Sequence, residues 1–115
     1  MTTRWEKGDS HIKLIVEGES TNAKEFKSAL DINLEGNILI DLSVMEVLDS
    51  DSKQYLDEFA KLHKAKMHSI IIASHSKIKG LKNLEVVPTV SEARELIFME
   101  ITERELGFWG EDLKE

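Results

Sequence analysis

The hydrophobic and polar positions of this chain change period several times, and each change marks an element. Residues 3–7 and 11–16 alternate apolar and polar side chains, the pattern of half-covered strands. Gly8-Asp9 between them is a turn signal, so a hairpin is expected. Residues 22–30 switch to helical spacing, with Phe26, Ala29 and Leu30 on one face. Asn22 can cap that helix and Glu25 follows three residues on. Gly36-Asn37 then turns the chain into Ile38-Leu39-Ile40, the unbroken apolar run of a strand covered on both faces.

The next helix is predicted over residues 50–65, with Leu56, Phe59, Ala60, His63 and Met67 at helical spacing. Residues 69–73 read as a second doubly covered strand. A short helical turn is expected near residues 77–81, ended by Gly80 or Asn83. Leu84-Glu85-Val86-Val87 is a third central strand, halted by Pro88, the only proline. Thr89-Val90-Ser91-Glu92 has capping-box form, in which the Thr89 hydroxyl and the Glu92 carboxylate satisfy each other's free backbone N–H groups. Ala93, Leu96, Ile97 and Ile101 continue one face of the last helix, and Gly107 is its stop.

Strands joined by connections of helix length imply right-handed crossovers. The fold class is therefore α/β: a single domain whose mainly parallel central sheet carries an N-terminal hairpin and helices packed on it. The domain is expected over residues 1–106, with residues 107–115 as an acidic C-terminal tail.

Composition narrows the function classes. A chain of 115 residues is one domain by size and can bury a core without staples. Having no cysteine, it has no disulfides, thiolate metal site or Cys nucleophile. No apolar run approaches the roughly 18 residues of a membrane span, so no membrane insertion is expected. The N-terminus lacks the apolar core of a signal peptide, which favours a cytoplasmic address. The net charge of −7 and scattered lysines argue against nucleic acid, whose binding relies on clustered cations. Six acidic residues against two basic ones between Met99 and Glu115 read as a solvated face.

The most informative stretch is Asn37-Ile38-Leu39-Ile40-Asp41-Leu42-Ser43, followed by Asp49-Ser50-Asp51-Ser52 at a helix start. It resembles the STAS domain of bacterial anti-sigma-factor antagonists, whose hallmark is a strand ending Asp-Leu-Ser and a helix opening Asp-Ser-Ser-Gly. Val87-Pro88-Thr89-Val90-Ser91-Glu92-Ala93 looks like that family's last strand and final helix. The resemblance extends over residues 4–106. Aligned without gaps, Asp49 and Ser50 match the family's Asp and first Ser, Asp51 falls on the phosphorylated Ser or Thr, and Ser52 replaces the Gly. The resemblance implies a partner-binding regulatory loop at Asp49, Ser50, Asp51 and Ser52, with a kinase-type anti-sigma factor or other regulator as partner. Phosphorylation would then fall on Ser50 or Ser52, or the loop is fixed in one state by Asp51. A ligand-binding or transport-accessory role, toward a lipid or small molecule, is the alternative. The ending Glu105-Leu106-Gly107-Phe108 is similar to that of short STAS-like proteins of Bacteroidetes, some of which are called ribonuclease Z. This chain has no His-x-His-x-Asp-His motif to hold the metal of such an activity.

Other chemistry finds no constellation. Asp41 ends a central strand, where ligand sites of α/β sheets gather. A receiver domain would add an acidic pair after its first strand and a Lys after its last, but Gly8-Asp9-Ser10 and Pro88-Thr89 stand there. Asp41 is therefore read as a loop organiser. His11, His63, His68 and His75 show no ligand spacing, so no metal is expected. His63 is read as a packed or partly exposed histidine. Nucleophile elbow, phosphate loop and dinucleotide fingerprint are all absent, so neither a cofactor nor catalysis is expected. At the helix start, plain capping competes with the regulatory reading. Phe98, Met99, Phe108 and Trp109 exceed the needs of the last helix, which leaves a partner surface, a homodimer or a folded-back tail open.

Overall fold

The structure is a computed structural model and describes residues 1–31, 36–45 and 48–107. Among the described residues eight elements follow in the order β1 (Thr2–Lys7), β2 (Ile12–Glu17), α1 (Ala23–Leu30), β3 (Ile38–Asp41), α2 (Ser50–Ala65), β4 (Ile70–Ala73), β5 (Glu85–Val87) and α3 (Val90–Glu105). The strands form one five-stranded sheet in the order β1-β2-β3-β4-β5. Only the β1–β2 hairpin is antiparallel; β2, β3, β4 and β5 run parallel. The expected α/β domain with a mainly parallel sheet and an N-terminal hairpin is thus present.

Alternation along the strands splits the core into two layers. Leu14, Val16, Ile38, Ile40, Ile70 and Ile72 point to the face that carries Phe26 and Leu30 of α1 and Leu56 and Ala60 of α2. Leu39, Ile71 and Ala73 point the other way, onto Ala93 and Ile97 of α3. This explains the unbroken Ile runs: β3 and β4 are buried on both faces.

Helix ends follow local chemistry. Asn22 caps α1, its side chain accepting from the N–H groups of Lys24 (2.9 Å) and Glu25 (3.4 Å). Thr89 caps α3, accepting from the Glu92 N–H at 3.1 Å. The Glu92 carboxylate takes the Thr89 hydroxyl at 3.3 Å, so the box closes side chain to side chain on that arm. At the other end of α2, the His68 N–H reaches the His63 carbonyl and the Met67 N–H the Lys64 carbonyl. That is a Schellman closure, and it puts Met67 at φ 64°, where glycine is normally used. Met67 is therefore not part of the inner stripe of α2 but an exposed cap residue. Phe59 is only partly buried, packed against the core between Tyr55 and His63.

The helical turn expected at residues 77–81 is absent; the β4–β5 connection is irregular. Asp57 of α2 supplies the reason. Its carboxylate accepts the N–H groups of Lys82 (2.8 Å) and Asn83 (2.7 Å) and the Asn83 side chain (3.2 Å), drawing backbone donors away from a local helix. Ile78 and Leu81 meanwhile pack on the α1–α2 side of the core.

Candidate functional site

Asp49, Ser50, Asp51 and Ser52 come together at the first turn of α2, beyond the carboxyl end of β3. Asp49 is the N-cap, extended at φ −70° and ψ 162°. Its carboxylate accepts from the Thr21 hydroxyl at 2.6 Å, and its N–H donates back to that oxygen at 3.0 Å. Thr21 is buried and immediately precedes Asn22, so one hydroxyl ties the starts of α1 and α2 together. Burial pushes the Asp49 carboxyl up, but the Ser52 and Thr21 hydroxyls and the N–H groups of Asp49 and Ser52 outweigh it, and its pKa lies below the ordinary carboxylate value.

Ser50 and Asp51 are exposed, whereas Ser52 has no accessible surface. Among the described residues the Ser52 Oγ meets no partner within hydrogen-bond geometry, although the Asp49 carboxylate lies close enough to feel its dipole. A kinase would have to open the first turn of α2 to reach Ser52. On the strand side, Asp41 accepts from both the N–H and the hydroxyl of Ser43, the loop-organising role expected of it. Val44 follows, 60% exposed, on the same loop.

A second polar cluster, at the amino ends of β3 and β4, was not foreseen from the sequence. Arg104 of α3 donates to Ser69 (2.7 Å) and Asn37 (2.9 Å), while Asn37 also accepts the Ser69 N–H (2.8 Å) and donates to the Ser10 carbonyl (3.0 Å). Beside it, burial pushes the Glu100 carboxyl up against the pull of Ser69, Lys64 and Arg104. His63 is buried and stacked on Phe59, its Nε2 2.7 Å from the Gly36 carbonyl. Burial pushes its pKa down, helped by His68 and Lys66 and opposed by that carbonyl. These groups stitch strand ends to α3 and α2. Residues 67 positions apart in the chain meet here, so no local signal announces the cluster.

Among the described residues no group of three or more His, Asp or Glu side chains could hold a metal ion. No described helix is long and apolar enough to cross a membrane. Phe98 and Met99 are exposed on α3, while Phe108, Trp109 and most of the acidic tail lie outside the described residues. No protein-family model and no curated protein matches the chain.

Proposed function

We propose that this chain is a non-enzymatic regulatory module resembling an anti-sigma-factor antagonist of the STAS kind, docking a protein partner through the first turn of α2. The observation that carries this reading is the division of labour within that turn. Asp49 is tied to Thr21 and Ser52 is buried, while Ser50 and Asp51 face solvent. A tethered helix start presenting two polar side chains to solvent suits recognition of a protein surface. The α/β order supports the same reading. A cytoplasmic setting and a kinase-type anti-sigma or related regulator as partner belong to it.

Asp51 stands where the family is phosphorylated and carries −1 where a phosphate brings nearly −2. The interaction is therefore constitutive. Of the two serines, Ser50 is the one a kinase could reach in the folded state. The test is titration of a kinase-type anti-sigma partner with the native chain and with Asp51→Ser. Binding whose affinity changes on substitution supports the reading, and no binding by either chain would overturn it. Phosphate on Ser50 in protein taken from its own cells, read by intact mass, would overturn the constitutive state. A ligand-binding or transport-accessory role, toward a lipid or small molecule, is the second reading, favoured by a cavity beside the β4–β5 connection.

A further inference from the structure

The connections that leave β4 and β5 part company at the carboxyl end of the sheet. The segment after β4 passes to the α1–α2 side, where Ile78 and Leu81 join that core layer. The segment after β5 turns the other way, through Pro88 and Thr89 into α3, whose Ala93 and Ile97 pack on the opposite face. Where neighbouring parallel strands send their chains to opposite faces, a crevice opens between them, and ligands of α/β sheets bind in such crevices. Here it is a cavity of about 480 Å³ bounded by residues 74–79 on one side and Val86, Val87 and Pro88 on the other. That volume is in the range of small-molecule pockets.

Its chemistry is specific in sign. The chain carries −7 overall, yet no Asp or Glu occurs between Phe59 and Leu84, a segment with six lysines. The remaining residues hold 22 acidic against nine basic side chains. Lys77 and Lys79 of that segment line the cavity, together with Ser74, His75 and Ser76. Because the connection is not helical, its backbone donors are not used in a helical ladder. Among the described residues the N–H groups of Lys77, Ile78 and Lys79 meet no protein acceptor, and the Ser76 N–H turns back to the Ser74 hydroxyl at 3.2 Å. Ile78, Val86, Val87 and Pro88 supply an apolar wall.

We propose that this crevice binds a small phosphomonoester with a compact apolar body. Two ammonium groups, the serine hydroxyls and unengaged N–H groups match the three oxygens of a phosphate, and the wall takes the body. The proposal gives a ligand class to the second, ligand-binding reading; the site is separate from the α2 turn, so the docking reading stands or falls independently of it.

The probe is phenyl phosphate, titrated into uniformly ¹⁵N-labelled protein and followed residue by residue, with inorganic phosphate and benzoate run in parallel. The expected result is saturable shifts confined to residues 74–79 and 86–88, with phenyl phosphate at least about tenfold tighter than either comparison compound. Lys77→Gln with Lys79→Gln should weaken it about tenfold or more. Lys61→Gln with Lys64→Gln removes the same charge elsewhere and should leave affinity within twofold. Lys61, Lys77 and Lys79 are exposed and Lys64 is half-buried on α2, outside the apolar core, and circular dichroism checks that each variant stays folded. Equal affinity for inorganic phosphate, shifts spread over all lysines, equal weakening by both double variants, or no saturation at millimolar concentration would each overturn the proposal.

Discussion

Thr21→Val tests whether a single hydroxyl fixes the start of α2. Valine keeps the shape of threonine and removes only the oxygen that accepts from the Asp49 N–H and donates to its carboxylate. A neutral hydrogen bond contributes about 0.5–1.5 kcal/mol, and one to a charged group about 1.5–3 kcal/mol. The carboxylate is partly exposed and water replaces some of what is lost, and the added methyl is itself buried. The net cost should be about 1–2 kcal/mol at pH 7, read from urea denaturation, or a melting temperature lower by about 4–8 °C. The pH dependence separates the two bonds. A carboxyl held below its ordinary value in the folded state stabilises above the unfolded pKa of ~3.9, and that contribution drains away as pH falls through the lower folded value. The difference between native and variant should therefore shrink between about pH 5 and pH 2, leaving only the N–H bond, about 0.5–1 kcal/mol. A difference under about 0.3 kcal/mol at pH 7, or one that does not change with acid, would refute the reasoning.

Met67→Gly relieves a left-handed backbone at an exposed cap and should raise stability by about 1 kcal/mol in the same assay. Phe59→Ala should cost about 2 kcal/mol, below the 3–5 kcal/mol typical of a fully buried aromatic, because the ring is only partly covered; a melting temperature unchanged within error would remove it from the core. His63 has a folded pKa below its ordinary value, so stability is full above the unfolded value of ~6.5 and falls as pH drops below it. His63→Gln should narrow the difference in urea midpoint between pH 7.5 and pH 5.5 without abolishing it, since His11 shifts in the same direction.

Features set by neighbours in the chain were legible in the sequence. Asn22 and Thr89 cap the helices they precede, because a side-chain oxygen next to free N–H groups needs no distant partner. The Ile-rich runs announced strands covered on both faces because an unbroken apolar run has no polar face to turn to solvent. Features set by contact across the fold were not legible. Lys77, Ile78 and Leu81 have helical spacing, but Asp57, more than 20 residues earlier, holds the backbone at 82–83 in another conformation. The four residues of the candidate site were correctly placed at a helix start, while the inward turn of Ser52 and the reach of Thr21 across 28 residues depend on how α1 and α2 pack. The stretch from Phe59 to Leu84 carries no acidic residue, but nothing local in it shows that Lys77 and Lys79 line the crevice where β4 and β5 send their continuations to opposite sides.

The strands stand in the sheet in the order in which they occur in the chain. For a chain emerging residue by residue, each new strand meets its docking edge already built, and none has to wait for a segment not yet made. Synthesis as far as Ala73 completes four of the five strands, together with both helices of one layer. What is completed last is the opposite side of that sheet, where Leu39, Ile71 and Ala73 gain the cover of Ala93 and Ile97 only when α3 arrives. The last helix is thus the step that shields a bare apolar surface, and the interval before its arrival is when a nascent chain is most exposed to aggregation.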